Sequence, residues 1–584
     1  MRVYPPSLRS GCYCLARTVR IIPQENGGLA LCSYPLRVLR LSTLTTHLLL
    51  HCCEQRTCEE LAQLVDLPTR RVQTLCEQLR WKGLLETGPA LPPATWPGVS
   101  IIIPTYNRAQ QLERCLKSLL GQDYPAQCLE LIVVDDASTD ETATMLQQLA
   151  QQAATQGLAI QVIHHTSRQG VAKSRNTGAE AAHHDLLAYI DSDCVASPGW
   201  LTELVPALQD THLGAVGGMI RAYERHNMLG RYEDVRSSLF MGTRAQQVRL
   251  EGPLTYLPTA NLLIRRALLH KLGGFAPLNF GEDVDFCHRL LATGSQMVYL
   301  PQGIVYHDYR TTLRAFLSTR ISYASSEAAL LQRHPTQRRT LLLPPEQATF
   351  AALVIGGLWL STISFGARRG PQRSLRSAFQ YLVPTADLSA PTICQGARRG
   401  PQRSLRSVFQ YFAPTAVAPR FIVGERSGAR INTSAPGKST IGKRTPTMLF
   451  LAALLLTFLG TSTRWRKVQQ QTIPLNPLII FQATLRGHLA YTYHLCRHLT
   501  RYYTLPLLAI GLLVPPFLPL VLILCSVVIS VDYARLQPHM GLSEYILCSL
   551  LNDCAYEVGV VLGCIKYRTW RPLLPIIHIK RKHR

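Results

Sequence analysis

At 584 residues the chain is too long for one ordinary core, and its length suggests about three domains. A formal net charge of +25 would point to nucleic acid if it were spread over one surface, but residues 366–445 hold 14 Lys and Arg against only Asp387 and Glu425. That concentration beside apolar runs argues for a segment on the cytoplasmic membrane surface and against a nucleic-acid partner. The 17 cysteines are scattered, with no CxxC pair and no His/Cys spacing suited to zinc, which points to reduced, buried thiols.

In chain order, residues 17–41 read as two short strands about Glu25-Asn26-Gly27-Gly28, a turn whose glycines take positive φ. Thr57-Cys58-Glu59-Glu60 is a capping-box pattern opening a helix through Leu61, Leu64 and Val65, and Pro68 begins another through Val72, Leu75 and Leu79. With Gly83-Leu84-Leu85-Glu86 as the start of a wing, residues 1–90 are expected to form a small winged-helix-like domain. Such a unit could read DNA, bind a peptide or brace the next domain. Arg70 and Arg71 fall short of a basic recognition face, which disfavours DNA. Pro92, Pro93 and Pro97 mark a linker.

Residues 98–335 alternate strand and helix patterns, which predicts an α/β fold. Strands are expected at Val99–Ile103, Leu129–Val134, Ala159–His164 and Leu186–Ile190; helices are expected at Gln111–Leu120, from Thr139, and at Ala172–Ala182. Neither GxGxxG nor GxxxxGK is present, so phosphates must be held by another device.

Residues 346–584 read as a membrane-associated region. Ala348–Phe365 and Pro446–Gly460 are each just long enough to span, and Leu505–Val531 suits one tilted helix or a pair broken at Pro515-Pro516. None has the character of an N-terminal signal peptide. Phe481–Tyr503, with His and Arg among Leu and Tyr, suits an interfacial amphipathic helix or an ordinary surface helix. Gly366–Ala386 recurs at Gly396–Ala416 with three differences in 21 positions, and this basic insertion is expected to be largely disordered.

The chemistry-bearing residues are three acidic clusters, Val134-Asp135-Asp136, Asp191-Ser192-Asp193 and Gly281-Glu282-Asp283. Each follows a stretch rich in β-branched or apolar residues, as Leu131 to Val134 and Leu186 to Ile190 show, so the carboxylates should emerge at strand ends, where open α/β sheets bind ligands. Asp191 and Asp193 alternate across such an end. One can reach a ribose while the other holds a hard divalent cation, Mg or Mn, that neutralises a departing diphosphate. Cys194 adjoins them without a His–Asp partner pattern and reads as a packing residue.

Ile101-Ile102-Ile103-Pro104-Thr105-Tyr106-Asn107, Val133-Val134-Asp135-Asp136-Ala137-Ser138-Thr139-Asp140, Gly170-Val171-Ala172-Lys173-Ser174-Arg175-Asn176-Thr177-Gly178, Asp191-Ser192-Asp193 and Gly281-Glu282-Asp283-Val284-Asp285 occur in that order. Together they resemble the family 2 glycosyltransferases of GT-A fold over roughly residues 99–310. The resemblance implies that Pro104, Tyr106 and Asp136 line a uracil pocket, Arg175 supports the nucleotide, and Asp191 and Asp193 bind ribose and metal. It also implies that Asp283 is the general base of an inverting transfer. Glu282 is assigned to substrate binding, with helix capping by Glu282 or Asp285 as the alternative. His307 is a candidate metal ligand or a structural histidine. Trp200 could stack on an acceptor or pack in the core. Processive polysaccharide synthases need a QxxRW motif, which Leu317-Ser318-Thr319-Arg320-Ile321 and Arg464-Trp465 do not supply.

Gly27-Gly28-Leu29-Ala30-Leu31, Pro35 to Ser42, Tyr323 to Ala329, Arg333-His334-Pro335, Asn552 to Tyr556 and Tyr567 to Pro575 look like the mycofactocin-system glycosyltransferases. That family implies β-linked glucose transferred from UDP-glucose to a peptide-derived redox cofactor, with a peptide-binding-type unit in front. The insertion at 366–445 departs from the family pattern. The expectation is a metal-dependent inverting hexosyltransferase, multi-pass in the cell membrane, with its catalytic domain in the cytoplasm. The alternatives are transfer to a polysaccharide or lipid-linked acceptor, and a non-catalytic, membrane-tethered peptide-binding protein.

Overall fold

The computed structural model describes residues 11–33, 36–88, 93–155, 158–337, 339–366, 441–470, 473 and 475–578. The repeat insertion expected to be disordered lies outside the described residues, apart from its two ends.

The central part is a mixed eight-stranded sheet. In spatial order its strands are Gln246–Val248, Gln296–Tyr299, Leu213–Gly217, Leu262–Arg265, Leu186–Tyr189, Val99–Thr105, Leu129–Asp135 and Ile160–His164. All seven residues of Val99–Thr105 are buried, as a parallel strand covered on both faces requires. Ile101 and Ile103 pack against helices Ala109–Leu120 and Thr142–Thr155 on one face, while Ile102 meets Val171–Ala181 on the other. That last helix lies close to the sheet, since a Cβ on Gly178 would stand 2.5 Å from Ile102 Cγ2.

Strands Leu129–Asp135 and Ile160–His164 extend the sheet to one side of Val99–Thr105, whereas Leu186–Tyr189 joins its other side. This reversal of strand order opens a crevice at the carboxyl ends, where Pro104 and Asp191 emerge from neighbouring strands. A second, three-stranded sheet sets Cys194 directly opposite His307 and so brings His307 beside Asp193.

The N-terminal region differs from the expected pair of strands. Residues 19–41 make three, Val19–Gln24, Gly27–Ser33 and Leu36–Leu41, because the apolar run after the Glu25-Asn26 turn folds back with Ser33 opposite Leu36. The capping box forms at Thr57 and Glu60. Helices Thr43–His51, Cys58–Val65 and Thr69–Trp81 enclose a core of Leu48, Leu49, Leu61, Val72, Cys76 and Leu79. Strand Leu85–Thr87 pairs with Cys12–Leu15. The outer face of the three-stranded meander, at Leu29 and Leu31, packs on Ile473.

Among the described residues, four helical segments are long and apolar enough to cross a membrane: Pro345–Ile363, Thr445–Gln470, Pro515–Leu536 and Leu542–Lys566. The last is an addition to the sequence reading, obscured there by Glu544, Asp553 and Glu557. Phe481–Tyr503 is neither an interfacial nor an ordinary surface helix. It belongs to helix Pro477–Leu513, whose stripe at every fourth residue, Thr484, His488, Thr492, Cys496, Thr500 and Thr504, is buried against the neighbouring helices. His488 lies 3.2 Å from Glu346, which forms a bidentate pair with Arg464 at 2.9 Å for each bond. The expected break at Pro515-Pro516 is present as a short 3-10 turn.

Helix Leu313–Arg333 runs from the α/β part onto helix Leu542–Lys566. Gly559 and Gly563 make the approach possible, because a Cβ on either would collide with the backbone of Ile321 or Ser325. Helix Met228–Arg236 adds two ion pairs to the same helical region, Arg231–Glu544 at 3.1 Å and Arg236–Asp532 at 3.2 Å.

Candidate active site

The loops that leave strands Val99–Thr105 and Leu129–Asp135 brace one another. Asn107 Oδ1 accepts from Thr139 N at 2.7 Å, Ser138 Oγ accepts from Asn107 N at 2.9 Å, and Asp140 accepts from Ala109 N at 3.2 Å. Both Asn107 and Ala137 hold positive φ, 50° and 63°, a strain the cross-bracing sustains. Asp136 is thereby fixed, and it accepts from Gln169 N and Gly170 N at 2.8 Å each and meets His165 Nδ1 at 2.8 Å. Burial alone would raise its carboxyl, but these hydrogen bonds outweigh burial and hold it below the ordinary value. Tyr106 presents its ring to Arg168, 4.2 Å away.

Arg175, buried on helix Val171–Ala181, joins the second and third acidic clusters. Its Nη2 donates to Asp191 at 2.7 Å and its Nη1 to Glu282 at 2.5 Å. Glu282 therefore does not cap its helix. Gly281, at φ 84°, occupies the N-cap without a side-chain bond, and Glu282 turns toward Arg175. Asp285 is committed elsewhere, to Arg289, Arg333 and His334. Asp283, half-buried, accepts from Val284 N at 2.8 Å. Burial first and the charge of Glu282 next push its carboxyl up to about 7, against the opposing pull of the Val284 N–H and Arg175.

Asp193 is buried beside Arg108, with which it forms an ion pair, and His307 Nε2 lies 3.6 Å from its Oδ1. Neither Asp193 Oδ1 nor His307 Nδ1 has a hydrogen-bond partner among the described residues. Asp193, Cys194 and His307 cluster closely enough to share an ion. Burial pushes the Cys194 thiol well above its ordinary value and the nearby Asp193 and Asp191 add to this, so sulfur stays protonated. The oxygen and nitrogen donors of Asp193 and His307 fit a hard divalent cation, and the thiol does not.

Pro104, Tyr106, Asp136, Arg175, Asp191, Asp193, Glu282, Asp283 and His307 all line one cavity of about 530 Å³. Trp200 does not, since it is fully buried and donates through Nε1 to Asn261 at 2.8 Å. The sequence reading omitted a whole wall. Tyr256, Phe280, Tyr323, Glu327 and Leu330 line the same space, together with Arg501 and Tyr556 from the helical region. Only proximity to the Tyr323–Ala329 segment hinted at them, because residues so distant in sequence meet through helix packing alone.

Residues 100–273 match the family model described as Glycosyl transferase family 2. That stretch lies within the mixed α/β part of the chain. Among curated proteins, the chain is 34% identical over 247 residues to the pre-mycofactocin glycosyltransferase of Mycobacterium tuberculosis, covering 42% of this chain and 50% of that protein. It is 29% identical over 220 residues to glycosyltransferase AglE of Haloferax volcanii, covering 37% and 69%. The chain therefore spans about half the length of the pre-mycofactocin relative. Among solved structures, the mannosyltransferase PcManGT of Pyrobaculum calidifontis, in complex with GDP-Man and Mn2+, aligns with a TM-score of 0.35 at 25% identity, over 44% of this chain and 70% of that one.

Proposed function

We propose that the chain is a membrane-attached, inverting glucosyltransferase that moves glucose from UDP-glucose to a peptide-derived redox cofactor of the mycofactocin type. The observation that carries the transfer chemistry is Asp283, a half-buried carboxyl pushed up to about 7 in the cavity that also holds the Arg175–Asp191 pair. A carboxylate that titrates near neutrality is matched to accepting a proton from a hydroxyl during attack. In this reading Asp283 takes the acceptor's hydroxyl proton as the oxygen bonds to the anomeric carbon. The bond from that carbon to the diphosphate breaks on the opposite face, and UDP leaves with the electron pair.

Pro104, Tyr106 and Asp136 are assigned to the uracil, Asp191 to the ribose, and Arg175 to holding Asp191 and Glu282 in place. Asp193 and His307 would hold Mg or Mn, and that ion when bound would neutralise charge on the diphosphate. The 34% identity to the pre-mycofactocin glycosyltransferase supports the acceptor class, and the donor rests on the motif resemblance. Residues 98–335 are assigned to the catalytic domain and residues 346–584 to a multi-pass membrane region with the catalytic domain in the cytoplasm. The four apolar helices among the described residues support the membrane region, and the cytoplasmic side is assigned because nucleotide sugars are available there. Residues 1–90 are assigned to a winged-helix-like, peptide-binding-type domain, supported by three helices beside a small sheet that includes Leu85–Thr87.

Asp283→Asn tests the assignment. The purified variant is expected to bind UDP as the parent does and to lose transfer by about a thousandfold, within the usual range for removal of a general base. Unchanged turnover would remove Asp283 from the chemistry.

A further inference from the structure

The charged groups of the cavity are nearly all paired. Arg108 and Arg310 face Asp193, Arg175 joins Asp191 and Glu282, and Arg320 pairs with Glu233. Among the described residues, Arg168 and Arg501 line the cavity without an ion pair. Each instead lies over a tyrosine ring. Arg168 covers Tyr106, within the wall assigned to the nucleotide, and Arg501 lies 3.8 Å from the ring centre of Tyr556.

Arg501 belongs to the wall that the second half of the chain supplies. Helix Pro477–Leu513 kinks at Tyr503, where Pro506 cannot continue the hydrogen-bond ladder, and Glu557 accepts the Leu505 N–H at 2.9 Å. The nearby carboxylate is already engaged, since Tyr502 and Tyr556 donate their hydroxyls to Glu327 at 3.0 and 2.9 Å. Tyr556 is thus held by its hydroxyl while its ring lies against the guanidinium. Against the cost of burial, the Tyr556 hydroxyl and the Glu327 charge both favour the charged form of Arg501 without forming an ion pair with it. Burial, followed by the charge of Asp283, raises the Tyr256 hydroxyl, and Tyr323 and Arg501 act on the same group. Arg501 and Asp283 line the same cavity, with Tyr256 and Tyr323 as further lining.

A guanidinium stacked on one face keeps its N–H edge in plane for a two-pronged oxyanion. We propose that Arg501 is a specificity-determining residue that binds an anionic oxygen group, a carboxylate or a phosphate, on the acceptor and so turns the acceptor hydroxyl toward Asp283. The inference rests on the assignment of Asp283 given above. It adds that the acceptor is an anion and that a helix outside the α/β domain selects it.

The test uses the full chain in detergent micelles with UDP present and measures binding of three probes by titration. The aromatic lining of Tyr256, Phe280 and Tyr323 suggests para-hydroxyphenylacetate, its neutral amide, and farnesyl phosphate. The parent protein is expected to bind the acid about tenfold or more tightly than the amide, as a charge-assisted hydrogen bond warrants. Arg501→Gln should remove that preference, and Arg501→Lys should keep part of it. Tighter binding of farnesyl phosphate than of the acid, lost in Arg501→Gln, assigns the anion to a lipid-linked phosphate; weaker binding assigns it to a soluble acid.

Equal affinity for acid and amide in the parent, no binding of either anion, or a preference that survives Arg501→Gln would each overturn the proposal. The comparison in the parent needs no variant, so it decides the matter even if Arg501→Gln loses UDP binding through misfolding. Discrimination that persists while Asp283→Asn turns over normally removes Asp283 as the base and leaves the anion site standing, whereas no transfer by the parent to any acceptor, with discrimination intact, sinks the transferase assignment alone.

Discussion

The two walls of the cavity are built differently. The wall of acidic clusters is assembled within the α/β domain from strand ends and the helix that carries Arg175, and its carboxylates are locked by ion pairs and backbone hydrogen bonds. The facing wall joins the loop residues Tyr256 and Phe280 to helices Leu313–Arg333, Pro477–Leu513 and Leu542–Lys566, and it is mostly aromatic, with one guanidinium outside any ion pair. A site locked by short-range geometry suits a ligand of constant shape, such as a nucleotide. A wall set by helix packing can change with its membrane region while leaving the first wall intact.

The largest way to break this comparison is Arg175→Ala. It leaves the buried Glu282 and the partly exposed Asp191 without their cation, and is expected to destabilise the protein by about 3 kcal/mol and to weaken UDP binding by more than about a hundredfold. Thermal unfolding and UDP titration check both. Chelation with EDTA is expected to slow transfer by about a hundredfold, restored by Mg or Mn, and Asp193→Asn should no longer respond to added metal. Transfer that survives chelation removes Asp193 and His307 from metal binding.

Gly559→Leu should act on the other wall alone. Overpacking against the Ile321 backbone costs about 1–3 kcal/mol locally, so the acceptor KM should rise by about tenfold while UDP affinity stays within about twofold. Equal loss of donor and acceptor binding would mean that the two walls are not separable.

The legibility of these walls from sequence differs for a physical reason. Strand ends announce themselves, because Leu131 to Val134 and Leu186 to Ile190 are short apolar runs closed by carboxylates, so Asp136, Asp191 and Asp193 could be assigned to one edge. The capping box at Thr57 was likewise readable, since its spacing is its mechanism. The third cluster was misplaced, since it was expected at a strand end like the others and instead opens helix Glu282–Ala292. Glu282 was left between substrate binding and capping because a first-turn carboxylate looks like a cap until a buried arginine is seen to claim it. The third N-terminal strand was hidden because the run from Gly27 to Leu41 has no strong polar break at its reversal. The polar stripe of helix Pro477–Leu513 imitates an interfacial helix in composition, and only its burial shows that it faces inward. Arg501 and Tyr556 were illegible as site residues, since nothing local marks a residue whose role depends on a helix crossing.

The pH dependence of transfer tests the account most directly. Asp283 acts as a base only when ionised, and its carboxyl is pushed up to about 7, so the ionised fraction grows as pH rises toward that value. The account predicts that kcat/KM climbs about tenfold per pH unit below 7 and levels off above it, and that Asp283→Asn abolishes the climb. A profile already flat between about pH 5 and 7, or the same climb in Asp283→Asn, would contradict it.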